Sequence, residues 1–118
     1  MSTEARELAI QALYEADLRS GGDISMPAKA ARLVDGVLAH LSELDETLDG
    51  VSERWRVARM APVDRAVLRL ALYELRFDPD TPVGVVVSEA VKLAKKYSTE
   101  KSGAFVNGIL GRLSRTER

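Results

Sequence analysis

Cysteine is absent from this chain, which excludes disulfides, thiolate metal sites and cysteine nucleophiles and agrees with the reducing conditions of a cytoplasm. Histidine occurs once, as His40, so a paired-histidine metal motif cannot be built. The sequence contains no glycine-rich phosphate loop and no nucleophile elbow. Apolar residues never run for the roughly 20 positions that a bilayer span requires, and the stretch from Met1 to Arg6 is polar almost at once. Together these absences predict a soluble cytoplasmic protein with no membrane association, no cofactor, no metal and no catalytic residues. Carboxylates are plentiful, but Glu43, Asp45, Glu46 and Asp49 read as an exposed helix face, where nothing would drive their pKa values apart.

What is present is one domain's worth of helix. A chain of 118 residues with 46% hydrophobic content suffices for a single core, and the whole of 1–118 reads as one domain. The net charge of −1 conceals an asymmetry. Residues 1–80 carry 10 Lys and Arg against 15 Asp and Glu, whereas residues 81–118 carry 7 against 3. The C-terminal third is therefore the basic end.

Apolar spacing predicts a helix over Thr3–Arg19, with Ala5, Ala9, Ala12, Leu13 and Ala16 on one stripe and Gly21–Gly22 behind it. Behind Pro27 the spacing predicts one long helix. Its seam of Val34, Val37, Leu41, Leu44, Leu48, Val51 and Trp55 alternates three and four residues apart and would extend about 30 Å at about 1.5 Å per residue. Pro62 opens a helix to about Arg76 that is apolar on most sides, as suits the middle of a bundle. Thr81–Pro82 reads as the cap and first residue of a helix through Lys96, in spite of its three successive valines. A hinge over Tyr97–Lys101 and a last helix from Ser102 to about Leu113 complete an all-α chain.

The residues that suit an anionic polymer are concentrated between Ser88 and Leu110. Lys92, Lys95, Lys96 and Lys101 could neutralise phosphates, and a helix starting at Ser102–Gly103 would offer unbonded N–H groups to an oxyanion. Tyr14 and Tyr97 could stack bases. The plain structural alternatives are a solvated lysine face, tyrosines packed at the rim, and a Gly108 that lets two helices approach while Asn107 bonds a buried backbone group.

Five blocks of sequence resemble, in order, the helices of the NusB transcription antitermination factors. They are ARELAIQALYEADL at 5–18, LVDGVLAHLSELD at 33–45, DRAVLRLALYEL at 64–75, TPVGVVVSEAVKLAKKYS at 81–98 and SGAFVNGIL at 102–110. The resemblance implies a compact NusB-like bundle of about five to six helices in two packed subdomains, a single RNA-binding domain without enzymatic activity. It implies binding of single-stranded boxA-type RNA together with the ribosomal protein NusE, within an antitermination complex that helps RNA polymerase read through terminators. Carried over by position, the RNA surface falls on Arg6, Gln11, Tyr14, Lys101, Ser102 and Phe105, and the NusE surface on Glu74, Pro82, Val85 and Glu89. The RNA residues lie apart in sequence but would be neighbours, forming one cradle, if the terminal helices pack side by side.

Two departures from the family pattern carry consequences. The family commonly opens its first helix with several arginines, whereas Ser2, Thr3 and Glu4 stand here and only Arg6 remains; fewer phosphate contacts lower affinity and flatten its salt dependence. The connection between Arg19 and Ala31 is too short for the extra helix the family usually has there. A seam left partly uncovered by that loss predicts a tendency to form a homodimer. Two other readings are an rRNA-recognition module like the NusB-like domain of rRNA cytosine methyltransferases, and a helical adaptor that binds protein only.

Overall fold

The structure, a computed structural model, describes residues 3–18, 27–53 and 55–118. These form six α-helices, α1 Thr3–Leu18, α2 Ala28–Ala39, α3 Leu41–Val51, α4 Pro62–Phe77, α5 Val83–Tyr97 and α6 Glu100–Glu117, with a single 3-10 turn at Val57–Arg59. No strand occurs among the described residues. The expected end of α1 at Arg19 and the glycine pair behind it lie outside them.

The physical centre is α4. Pro62 sits in its first turn, where a missing N–H costs nothing, and Asp64 and Arg76 lie at the ends that favour their charges. Ala66, Val67, Leu68, Leu70, Ala71, Leu72 and Leu75 are all buried, and such all-round burial needs neighbours on every side. The helix has them, because it packs against each of the other five. Helices α4, α5 and α6 pack mutually, while α1, α2 and α3 occupy the remaining side of α4, giving the two expected subdomains one continuous core. The C-terminal carbonyls of α4 are capped from the far end of the chain: the Arg118 guanidinium donates to the carbonyls of Leu75 and Glu74, each at 2.9 Å, and also to those of Asp78 and Thr81.

The long helix expected between Pro27 and Trp55 is two. His40 leaves helical geometry at φ −115° and ψ 17°, its N–H bonds the carbonyl of Val37, and its ring stacks on Phe77 with centroids 4.3 Å apart. A seven-residue repeat reports the spacing of apolar side chains, not an unbroken hydrogen-bond ladder, so two shorter helices folded onto α4 satisfy it equally well. Val34, Val37, Leu44 and Leu48 are buried within the one chain, whereas Leu41 and Val51 of the same seam are half-buried against the core. Trp55, assigned to that seam, is instead 51% exposed in the irregular segment before α4. Gly36 allows the Tyr73 ring to lie against α2, since an added Cβ would stand 2.3 Å from it.

The three valines are helical as expected, with Val86 buried and Val83, Val87 and Val91 packed on the core. Helix α5 begins one residue later than expected. Pro82 is its N-cap, and the Thr81 hydroxyl donates to Asp78 at 2.7 Å instead of capping.

Candidate nucleic-acid interface

The junction of α5 and α6 is tighter than the expected hinge. Tyr97 is the last residue of α5, so Ser98 and Thr99 alone make the connection. Thr99 caps α6, its hydroxyl accepting from the Ser102 N–H at 3.0 Å, while its carbonyl accepts from the Gly103 N–H at 3.2 Å. Ser102 and Gly103 are therefore inside the helix with their N–H groups bonded, and the expected free donors for an oxyanion are not there. Gly103 is the glycine of close approach, since a Cβ on it would stand 2.6 Å from the Lys95 side chain. Gly108 has open space around it and Asn107 is exposed, which corrects the helix-contact reading of that pair.

Beneath this junction lies a chain of hydroxyls ending on a carboxyl. Ser98 and Ser102 hydroxyls are 2.8 Å apart, and the Ser102 hydroxyl donates to Asp64 Oδ2 at 3.1 Å. Burial pushes the Asp64 carboxyl up from its ordinary range, against the opposing bonds from Ser102 and Ser98. Asp64 Oδ1 has no hydrogen-bond partner.

Helix α1 reaches the same region by two bridges. Glu7 accepts from the Tyr97 hydroxyl and from Lys96 Nζ at 3.2 Å, contacts that hold its carboxyl below the ordinary range, Tyr97 contributing most. Near its other end, Asp17 accepts from Arg65 in the first turn of α4. Gln11 and Tyr14 continue from Glu7 at steps of four and three, so the three share one stripe of α1. That stripe runs from the end of α5 towards the start of α4, where Ser102 is anchored. Helices α1 and α6 are not a packed pair. The expectation that they lie side by side is not met: each packs on α4, where Ser102 of α6 bonds Asp64 and Asp17 of α1 bonds Arg65, both in the first turn.

Of the residues assigned to RNA, Gln11 and Lys101 are exposed and Tyr14 and Phe105 half-buried. Ser102 is buried on Asp64. Arg6 is also buried, its guanidinium forking onto Glu74 through Nε at 2.9 Å and Nη2 at 2.8 Å, with Glu89 a further 3.8 Å from Nη1. The residue carried over as an RNA contact and the residue carried over as a partner contact are thus turned inward on each other. Pro82 and Val85 are exposed and share one face of the first turns of α5 with Glu89, whose carboxylate leans on Thr3 of α1. Tyr97 is committed to Glu7, and Lys96 lies over its ring at 5.3 Å from the centroid.

One wall of this end came from residues that the sequence reading did not assign to it. A groove of about 360 Å³ is lined by Trp55, Arg59, Met60, Ala61, Asp64, Lys101, Ser102 and Phe105. The signal was present, in that the one tryptophan stands among Arg54, Arg56 and Arg59. No cluster of side chains suited to a metal ion occurs among the described residues, and no described helix is long and apolar enough to cross a membrane.

The NusB family model matches residues 3–115. The transcription antitermination protein NusB of Anaeromyxobacter sp. (strain Fw109-5) is 45% identical over 127 positions, covering 95% of this chain and 88% of that protein. Its counterpart in Geobacter sulfurreducens is 44% identical, covering 94% and 91%. An alignment of 127 positions is longer than the 118-residue chain, so the relative has residues without a counterpart here. Among solved structures, NusB of T. maritima matches with a TM-score of 0.87 at 37% identity, over 96% of this chain and 89% of that one. A complex of the antitermination factors NusB and NusE with dsRNA matches with a TM-score of 0.84 at 31% identity, over 97% and 96%.

Proposed function

Because this chain belongs to the NusB family, we propose that it is a transcription antitermination accessory factor, binding boxA-type RNA together with the ribosomal protein NusE and supporting read-through by RNA polymerase. The observation that carries this is the likeness, along nearly the whole chain, to a NusB that was solved with NusE and RNA. In this reading 1–118 works as a single RNA-binding domain in the cytoplasm and contributes binding surface rather than catalysis.

The geometry supports a division of labour among the assigned residues. Gln11, Tyr14, Lys101 and Phe105 meet the RNA, and the buried Arg6 and Ser102 fix the helices that present them. Pro82, Val85 and Glu89 offer the NusE face on α5, with Glu74 holding α4 in place behind it. With one arginine in the first turns of α1 and an overall charge of −1, electrostatic attraction to RNA is weak, and NusE supplies contacts that the chain lacks.

The test is a fluorescence-anisotropy titration of boxA-type RNA with and without NusE. Lys101→Glu is expected to weaken binding several-fold and to lower the salt slope, with an unchanged melting temperature because the side chain is exposed. Equal affinity of the variant and the parent would refute the assigned surface. Retained NusE binding without any RNA binding would point to the protein-only adaptor instead.

A further inference from the structure

Five large apolar side chains stand exposed among the described residues: Leu8, Leu38, Trp55, Phe77 and Val85. Trp55 lines the groove beside Lys101 and Val85 belongs to the proposed NusE face, whereas Leu38 and Phe77 serve neither. Both adjoin His40, at the corner where α2 turns into α3. Leu38 stands two residues before it, and Phe77, the last residue of α4, stacks on its ring with centroids 4.3 Å apart. Tyr73, one turn earlier on α4, lies 5.2 Å from Phe77 and 6.4 Å from His40, ring to ring, and is held against Gly36 of α2. Rings from two sides of the corner thus form one cluster, yet Phe77 is 41% and Leu38 46% exposed. Apolar groups left in water forgo the burial they would contribute, and grouped in this way they mark a surface of contact.

The charge around the cluster selects its partner. Residues 33–53 hold six acids and no Lys or Arg. The Glu43 carboxylate is 63% exposed and makes no hydrogen bond, its one close contact being His40 Nδ1 at 3.5 Å. Asp35, next to Gly36, and Asp80, three residues beyond Phe77, are exposed and form no ion pair among the described residues. Arg76, the cation adjoining Phe77, is already paired with Glu117 at 2.8 and 2.9 Å. Lys29 and Arg32 lie two turns or more before His40. A face that joins aromatic rings to unpaired carboxylates repels a phosphate and suits a cation. Arginine fits it better than lysine, because the guanidinium is flat and weakly hydrated, stacks on a ring and keeps its N–H groups for a carboxylate.

We propose that this face, built by the α2–α3 corner and the last turns of α4, docks an arginine-bearing segment of a protein partner, one guanidinium lying on the Phe77 ring and pairing with the Glu43 carboxylate. Phe77 stands about 20 Å along α4 from Asp64, at about 1.5 Å per residue, and its ring turns to α2 rather than to the α5 surface assigned to NusE. The face is therefore a third one, and it stands whether or not the chain binds RNA.

The test is an NMR titration of the full chain, at low salt, with acetylated and amidated hexa-arginine, and with hexalysine for comparison. Hexa-arginine should move the resonances of Leu38, His40, Tyr73 and Phe77 along one saturating curve and bind more tightly than hexalysine. Phe77→Leu, which keeps an apolar side chain, should weaken binding roughly two- to fivefold, the range of one cation–π contact at an exposed site, whereas Phe77→Tyr should bind like the parent. Glu43→Gln should weaken binding, and Glu15→Gln, on α1, should leave it unchanged. Undiminished binding by Phe77→Leu would overturn the stacked guanidinium. Resonance shifts confined to other surfaces, an equal loss in Glu15→Gln, or no binding up to millimolar peptide would overturn the docking site. A sedimentation coefficient that rises with protein concentration in the parent but not in Phe77→Leu would assign the face to a second copy of the chain and overturn it as well.

Discussion

Replacing Arg6 by alanine separates two accounts of the first helix. If Arg6 were a phosphate contact, the substitution would lower RNA affinity and leave the fold alone. The structure instead places its guanidinium, 2% exposed, in a fork on the Glu74 carboxylate with Glu89 close by. Removing it strands a buried carboxylate, and breaking a buried pair from one side costs about 3–5 kcal/mol. For a chain of this size, 1 kcal/mol corresponds to a shift of about 3–6 °C in melting temperature, so Arg6→Ala should melt roughly 10–30 °C below the parent. Glu74→Ala should lose a similar amount. The double variant Arg6→Met/Glu74→Leu should recover much of the loss, because apolar groups of matching volume replace such pairs well. Circular dichroism melts and urea titrations of the four proteins give the comparison. A parental melting temperature for Arg6→Ala, together with weakened RNA binding, would refute the buried-pair account and return Arg6 to the RNA surface.

Two further predictions follow from local geometry. Thr99→Ala removes the side-chain cap of α6 and should cost about 1 kcal/mol, with amide exchange accelerated at Ser102 and its neighbours; unaltered protection there would contradict the cap. The Glu117 carboxyl is held below its ordinary range chiefly by hydrogen bonds from Arg76, at 2.8 and 2.9 Å. A lowered folded-state pKa gives stability that is complete above the unfolded carboxylate value of about 4.3 and is lost as pH falls through the folded value. Glu117→Gln should therefore be less stable than the parent by about 1 kcal/mol at neutral pH, with the gap in urea midpoint closing as the pH is lowered towards 3. A gap independent of pH would refute the assignment.

The helices were legible where apolar spacing determines them. Helix α4 announced its central place through leucines and valines on nearly every side, and α5 overrode the strand preference of three valines because Val86, Ala90 and Ala94 continue one buried face. The break at His40 was not legible, since neighbouring helices that share a partner preserve the same spacing as one continuous helix. Arg6 misled for a related reason. The buried face of α1 is wider than the alanine stripe suggested and includes Ile10, and Arg6 lies one turn before Ile10 within it. Nothing in a single sequence says whether an arginine on such a boundary turns outward to an anion or inward to a carboxylate 68 residues away. The groove was half legible: Lys101 stood out by its charge and by resemblance and Phe105 by resemblance alone, whereas Trp55 and Arg59 depended on where the irregular segment ahead of α4 lies relative to α6.

The contact of α4 with all five other helices has a practical consequence for genetic dissection. Substitutions that loosen this central rod should weaken RNA and NusE binding together, because both faces are built on elements it supports. Lesions at Lys101 should spare NusE, and lesions at Val85 should spare RNA when NusE is left out of the assay. Scoring variants against each ligand separately therefore sorts structural damage from loss of a contact without a further structure.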